Sequence, residues 1–107
     1  MAGSNGKETQ GLVRVMSALS DENRFRIVAY LASASAEVSC GTIGKALGLS
    51  PSLLSHHLSI LEDAGVIERR KNGLWTMNGL RRSALAEHIS SLQALVGPDG
   101  TDPTPPG

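Results

Sequence analysis

Apolar residues recur at helical spacing through most of the chain. Leu12, Val13, Val15, Met16 and Leu19 predict a first helix over roughly residues 8–18. Ser20 reads as the cap of a second helix, with Asp21 and Glu22 on its first turn and Phe25, Ile27, Val28 and Leu31 as its buried stripe. That stripe fades in the small residues 32–36. Ser39 can cap a short third helix that holds Ile43, Ala46 and Leu47 and stops at Gly48. Ser50-Pro51, a cap followed by proline at the first helical position, starts a fourth helix that runs to Ala64 and is closed by Gly65.

The period then changes. Residues 66–70 and 74–77 read as two strands around a tight turn at Lys71-Asn72-Gly73, because Asn-Gly suits a two-residue hairpin. A last helix follows over about residues 80–96, with Leu85, Ile89, Leu92 and Val96 on one stripe. The expected fold is mainly α with a small β-hairpin, in the order ααααββα. Residues 1–7 and the tail 97–107, which holds four of the five prolines, are expected to be disordered. Residues 8–96 then form one domain.

Two short helices separated by Gly48-Leu49-Ser50 make residues 41–64 a helix-turn-helix candidate. At about 100° per residue, Leu54, Leu58 and Leu61 share one side of the second helix, and Ser52, Ser55, His56 and Ser59 fall opposite. That outer face carries no charge between Lys45 and Glu62, whereas a merely solvated face commonly alternates Glu and Lys. Short hydroxyls allow close approach to base edges and phosphates, so the expected contacts to DNA are Lys45, Ser50, Ser52, Ser55, His56 and Ser59.

Composition narrows the picture further. Ten basic and ten acidic residues leave the 107-residue chain formally neutral, which excludes coating of nucleic acid or membrane by bulk charge but not a local patch. Such a patch exists. Residues 66–82 hold Arg69, Arg70, Lys71, Arg81 and Arg82 against Glu68 alone. The hairpin with Arg69, Arg70, Lys71 and Asn72 can therefore act as a wing that reaches phosphates. Trp75 is expected to anchor the wing in the core; Arg81 and Arg82 fit phosphate contacts and helix-end surface equally. With only Phe25, Tyr30 and Trp75 as aromatics, the core must be aliphatic. One cysteine, Cys40, excludes an intrachain disulfide framework. No apolar run approaches the ~18 residues of a membrane helix, and residues 1–10 lack the apolar stretch of a signal peptide. A cytoplasmic protein with no membrane partner is expected.

Three stretches, in order, now carry a resemblance. Ala18 to Ile27 (ALSDENRFRI), Gly48-Leu49-Ser50 with Ser55-His56-His57-Leu58, and Leu61 to Ile67 (LEDAGVI) resemble the ArsR/SmtB family of winged helix-turn-helix repressors across about residues 8–96. The resemblance implies a homodimer that binds an inverted repeat in double-stranded DNA and dissociates when an effector, often a metal ion, binds. Dimerisation also follows from the residues: Leu12, Val15, Met16, Leu85, Ile89, Leu92 and Val96 give the first and last helices apolar stripes that a short chain cannot bury alone. Half-sites would then lie about one helical turn, ~34 Å, apart.

The chain departs from the familiar metal sites. Where arsenic- and cadmium-type members carry Cys-X-Cys, Ser39 and Gly41 flank Cys40; where zinc-type members carry His and carboxylates on the last helix, only Glu87-His88 stand. Cys40, Glu87 and His88 are the remaining candidate ligands, and a divalent ion such as nickel or zinc fits them better than arsenic. Each has an ordinary alternative: Cys40 as a packed hydrophobe or a redox-sensitive thiol, His88 as surface or interface packing. His57 lies at the border of the core stripe and is expected to be packed and hydrogen-bonded. Two other classes stay open, a winged-helix module that binds protein and a regulator that is effector-independent or redox-responsive. An enzyme with Cys40 as nucleophile and His56 or His57 as base lacks a third orienting group, so no catalytic activity is expected.

Overall fold

The computed structural model describes residues 6–104. Its elements are α1 (Gly6–Leu19), α2 (Glu22–Ser33), β1 (Val38–Ser39), α3 (Cys40–Leu47), α4 (Pro51–Asp63), β2 (Ile67–Asn72), β3 (Trp75–Leu80) and α5 (Arg82–Val96). The sheet is antiparallel in the order β1-β3-β2. Five helices and the hairpin follow the expected order, and β1 is an addition. Two residues are too short a run to show a period, so nothing in the sequence marks them as strand.

Several boundaries move. Gly6 and Lys7 belong to α1 rather than to a disordered leader; residues 1–5 lie outside the described residues. Among the described tail residues, 97–104 carry no regular structure, and 105–107 again lie outside. The cap of α2 is Asp21, whose carboxylate accepts from the Arg24 backbone N–H at 3.1 Å, while Ser20 bonds back to the Ser17 carbonyl. Ser39 and Ser50 cap α3 and α4 as expected, accepting from the N–H groups of Thr42 and Leu53. Gly48, at φ +69, makes the left-handed turn between those two helices. The hairpin turn is displaced by one residue: Asn72 pairs with Trp75, leaving Gly73-Leu74 as the loop. Gly73 has φ +64, as a turn with glycine at its first central position requires, and among the described residues only glycines are left-handed. β3 continues to Leu80, so α5 begins at Arg82, later than the pattern predicts.

The core is aliphatic. Val15 and Ala18 of α1, Ile27 and Leu31 of α2, Ile43 of α3, Leu54, Leu58 and Leu61 of α4, and Val66 and Ile67 are all buried. Phe25 is not part of it, being 58% exposed on the outer side of α2. Ile67 sets which face of the hairpin turns inward. Directly opposed residues share a face and alternate residues share it along a strand, so Ile67, Arg69, Asn78 and Leu80 face one way and Arg70, Met77 and Trp75 the other. Trp75 is therefore an outward residue, 63% exposed, rather than a core anchor.

Buried Asn78 ties this sheet together. Its Nδ2 donates to the Val38 carbonyl at 3.1 Å, the Cys40 sulfur at 3.3 Å and the Thr76 carbonyl at 3.4 Å. Its Oδ1 accepts from Arg69 Nε at 3.1 Å. One side chain thus joins β1, β3, β2 and the first residue of α3.

Arginines close the carbonyl ends of four helices. Arg24 donates to the Ala18 carbonyl of α1 at 2.6 Å, and Arg82 to those of Ala32 and Ala34 at the end of α2. Arg26 donates to the Leu47 carbonyl of α3 at 3.0 Å, and Arg14 to the Asp63 carbonyl of α4 at 3.2 Å. Those carbonyls have no partner within their helix, and a cation there also opposes the negative end of the helix dipole.

Replacing Asn78 by alanine leaves Arg69 and the Val38 carbonyl without their shared partner. The expected loss is about 1–3 kcal/mol of stability, measured as a lower urea midpoint at unchanged slope.

Candidate nucleic-acid interface

The helix-turn-helix α3–α4 presents the face that its periodicity predicts. Leu54, Leu58 and Leu61 are buried, and Ser52, Ser55, His56 and Ser59 are exposed together on the opposite side. Lys45 and Ser50 are exposed beside them, although the Ser50 hydroxyl is engaged as the α4 cap. Nothing acidic interrupts this surface until Glu62 and Asp63 at the far end of the helix.

His57 holds that helix in place from behind. It is 5% exposed, with Nδ1 3.3 Å from Arg24 Nη1 and Nε2 3.9 Å from Asp21. A guanidinium can only donate, so Nδ1 accepts and the ring proton sits on Nε2, toward the carboxylate. Arg24 meanwhile bonds the end of α1. The first residues of α2 therefore connect the end of α1 to the middle of α4.

The wing differs from its expected role. Arg69 shares the inward face of Ile67 and gives its Nε to Asn78 and its Nη2 to Cys40 at 3.7 Å. Arg70 faces outward but pairs with Glu37 at 2.6 Å, and the hydrogen bond from that carboxylate raises the Arg70 pKa above its ordinary value. Arg82 serves α2. Thus three of the five basic residues counted in 66–82 are spent on the protein itself, and the charge surplus overstates what is available to phosphates. Among the described residues, Lys71 and Asn72 near the hairpin tip, Arg81 and Lys45 are exposed and carry no side-chain bond. Sequence reasoning could have assigned Arg69 inward by alternation from Ile67; Glu37, distant in sequence, gave no such signal.

The hairpin and α4 nevertheless adjoin. Arg69 and Cys40 line one hollow with Lys45, Ser50, Pro51 and Ser55. Asn72, Trp75 and Met77 line a second with Gly41, Thr42 and Lys45.

The candidate metal ligands divide. Cys40 is half-buried against Asn78 and Arg69, whereas Glu87 and His88 of α5 line one surface hollow with Glu8, His88 lying beside Gly11 of α1. Among the described residues, no three His, Cys, Asp or Glu side chains form a group that could hold an ion.

The expected dimer residues divide. Val15 is turned into the protomer's own core, because it shares a face with Ala18, and Leu12 and Leu85 are half-buried within the protomer. Met16, Ile89, Leu92 and Val96 are exposed, joined by Val13 and by Leu95 at 79%. No residue of α5 is buried, and among the described residues no helix is long and apolar enough to cross a membrane.

A helix-turn-helix with an open second helix and a flanking hairpin defines the winged helix-turn-helix class. A family model described as a helix-turn-helix domain matches residues 19–70. A protein of Halobacterium salinarum, named as an arsenical resistance operon repressor, ArsR, is 38% identical over 74 residues. The match covers 69% of this chain and 57% of that relative, so the chain spans little more than half its length. An ArsR-like transcriptional regulator from Rhodococcus sp. RHA1 superposes with a TM-score of 0.74 at 26% identity, over 83% of this chain and 82% of that one. A homodimeric winged helix-turn-helix domain from Mycobacterium bovis gives 0.67 at 21% identity, over 97% and 99% of the two chains. The chain thus has the winged helix-turn-helix fold and is similar in sequence and in fold to ArsR-type regulators.

The Asp21 cap gives the scaffold a pH signature. The Arg24 backbone N–H, and then the Arg24 charge, hold the carboxyl below its ordinary value of 3.8. A depressed carboxyl contributes stability that is complete above its unfolded value and is lost as pH falls through the folded one. Between pH 5 and pH 2, the thermal midpoint of the wild type should therefore fall more steeply than that of Asp21→Asn.

Proposed function

We propose that this chain is a homodimeric transcriptional regulator, acting as a repressor, that binds an inverted repeat in double-stranded DNA through α4. The observation that carries this reading is the exposed, uncharged face of Ser52, Ser55, His56 and Ser59 on the second helix of the pair. A helix N-terminal half with short side chains can approach base edges in the major groove, where donors and acceptors distinguish all four base pairs. Lys45 and Lys71 supply phosphate contacts, with Asn72 beside them near the tip of the wing, and Arg81 stands exposed at the base of the hairpin. Arg69 and Arg70 act instead by holding the hairpin against the sheet.

The twofold partner covers α1 and α5. Val13 and Met16 on one helix, and Ile89, Leu92, Leu95 and Val96 on the other, are apolar residues left to solvent in the single chain. An isologous contact between two copies buries both sets at once and presents two copies of α4 to the two halves of a palindrome. The homodimeric state of the Mycobacterium bovis domain, which shares the fold, supports pairing of two copies.

Three measurements test the reading. Duplexes selected by the protein from a randomised pool should contain an inverted repeat, and Ser55→Ala with His56→Ala should erase preference for it. Lys45→Ala and Lys71→Ala should each reduce the slope of log K against log salt by about 0.9, while Arg70→Ala changes it less. The double variant Ile89→Glu, Leu92→Glu should sediment as a monomer and lose preference for the palindrome over a single half-site. A wild-type protein that enriches no sequence from the pool overturns the proposal.

A further inference from the structure

The tip of the hairpin offers a phosphate little beyond Lys71. Arg69 and Arg70 are bonded to Asn78, Cys40 and Glu37, so Lys71 is the one wing cation left without a side-chain bond among the described residues. What the tip offers beyond it is apolar. Leu74 is 99% exposed and Trp75 63%, on adjacent positions at the point of the hairpin farthest from the core. A leucine so placed makes almost no contact within its own protomer, so the fold does not explain it.

The tip is also held firmly. The ladder is paired without a break from Ile67↔Leu80 to Asn72↔Trp75, and a two-residue loop closes it. Gly73 supplies the left-handed residue, leaving Leu74 in an ordinary conformation with its side chain at the apex. An apolar group on a stiff ribbon is suited to insertion, because little of its freedom is lost when it is enclosed.

Its position and charge select the partner. The hairpin borders the DNA-facing side of the helix-turn-helix: Arg69 shares a hollow with Ser50 and Ser55, and Trp75 shares another with Thr42 and Lys45. From Arg69 to Met77 there is no carboxylate. A surface continuous with the face of α4, whose outer hairpin carries no carboxylate of its own and is tipped by leucine, fits the groove beside the one that α4 occupies.

We propose, resting on the DNA-binding reading above, that Leu74 with Trp75 behind it is a wedge that enters the minor groove and partly unstacks one base step in each half-site. Apolar side chains are used in this way by proteins that kink the duplex from its minor groove. The wing would then report how easily a step unstacks, which favours flexible pyrimidine–purine steps at positions where no hydrogen bond is read.

The test uses the full chain and a duplex that it has itself selected, with 2-aminopurine placed in turn at each position flanking the α4 contacts. The wild type should raise the fluorescence at one position per half-site. Leu74→Ala should abolish that rise and weaken binding by about tenfold, with an unchanged thermal midpoint, since the side chain packs against nothing. Leu74→Phe should retain the rise. Leu74→Lys should recover affinity through phosphate contact while the fluorescence stays low. A Leu74→Ala protein with wild-type affinity and signal overturns the wedge and leaves the DNA-binding reading intact. So does a wild-type complex with no unstacked position, the result expected if the tip docks a protein instead. A wild-type chain that selects no duplex removes both.

Discussion

Guanidinium groups supplied from outside a helix, or from the start of the next, hold the carbonyl ends of α1 to α4. Short helices around an aliphatic core have little area with which to fix their mutual angles, and no large aromatic residue is buried here to help. Polar bonds at the ends do that work. Arg26 and Arg14 each belong to a helix that packs against the one they close, so each bond also orients a neighbour. Individually these exposed bonds contribute little, roughly 0.3–1 kcal/mol each. Their effect is chiefly geometric, and the open face of α4 depends on it.

The same economy explains the charge balance. A formally neutral chain with ten basic residues commits six of them, Arg14, Arg24, Arg26, Arg69, Arg70 and Arg82, to bonds within the protein. Arginine suits this task because its planar fork can meet two acceptors at once, and it stays charged throughout the physiological range. The exposed cations near α4 and the hairpin are fewer than a linear count suggests, and two of them are lysines.

Local signals made much of this legible. Ser39, Ser50-Pro51 and Gly48 announced the boundaries of α3 and α4, because caps and left-handed turns are chemistry of neighbouring residues. The two faces of α4 followed from Leu54, Leu58 and Leu61, a stripe with no competing period. Misplacements arose where a long-range partner decided. Glu37 neutralises Arg70 and Ala32 takes Arg82, at separations that no spacing rule reaches, whereas alternation from Ile67 already turns Arg69 inward. Phe25 and Trp75 were expected inside because aromatic residues usually bury well, yet helix and strand phase set them outside. Val15 was assigned to a partner, although its phase with Ala18 points into the protomer.

The Arg24 bridge has a mechanical consequence. One guanidinium grips the last turn of α1 and the imidazole of His57, two turns along α4. The end of α1 and the middle of α4 are thereby joined through two side chains, Arg24 and His57, in addition to their apolar packing. The orientation of the exposed face of α4 is thus tied to the last turn of α1.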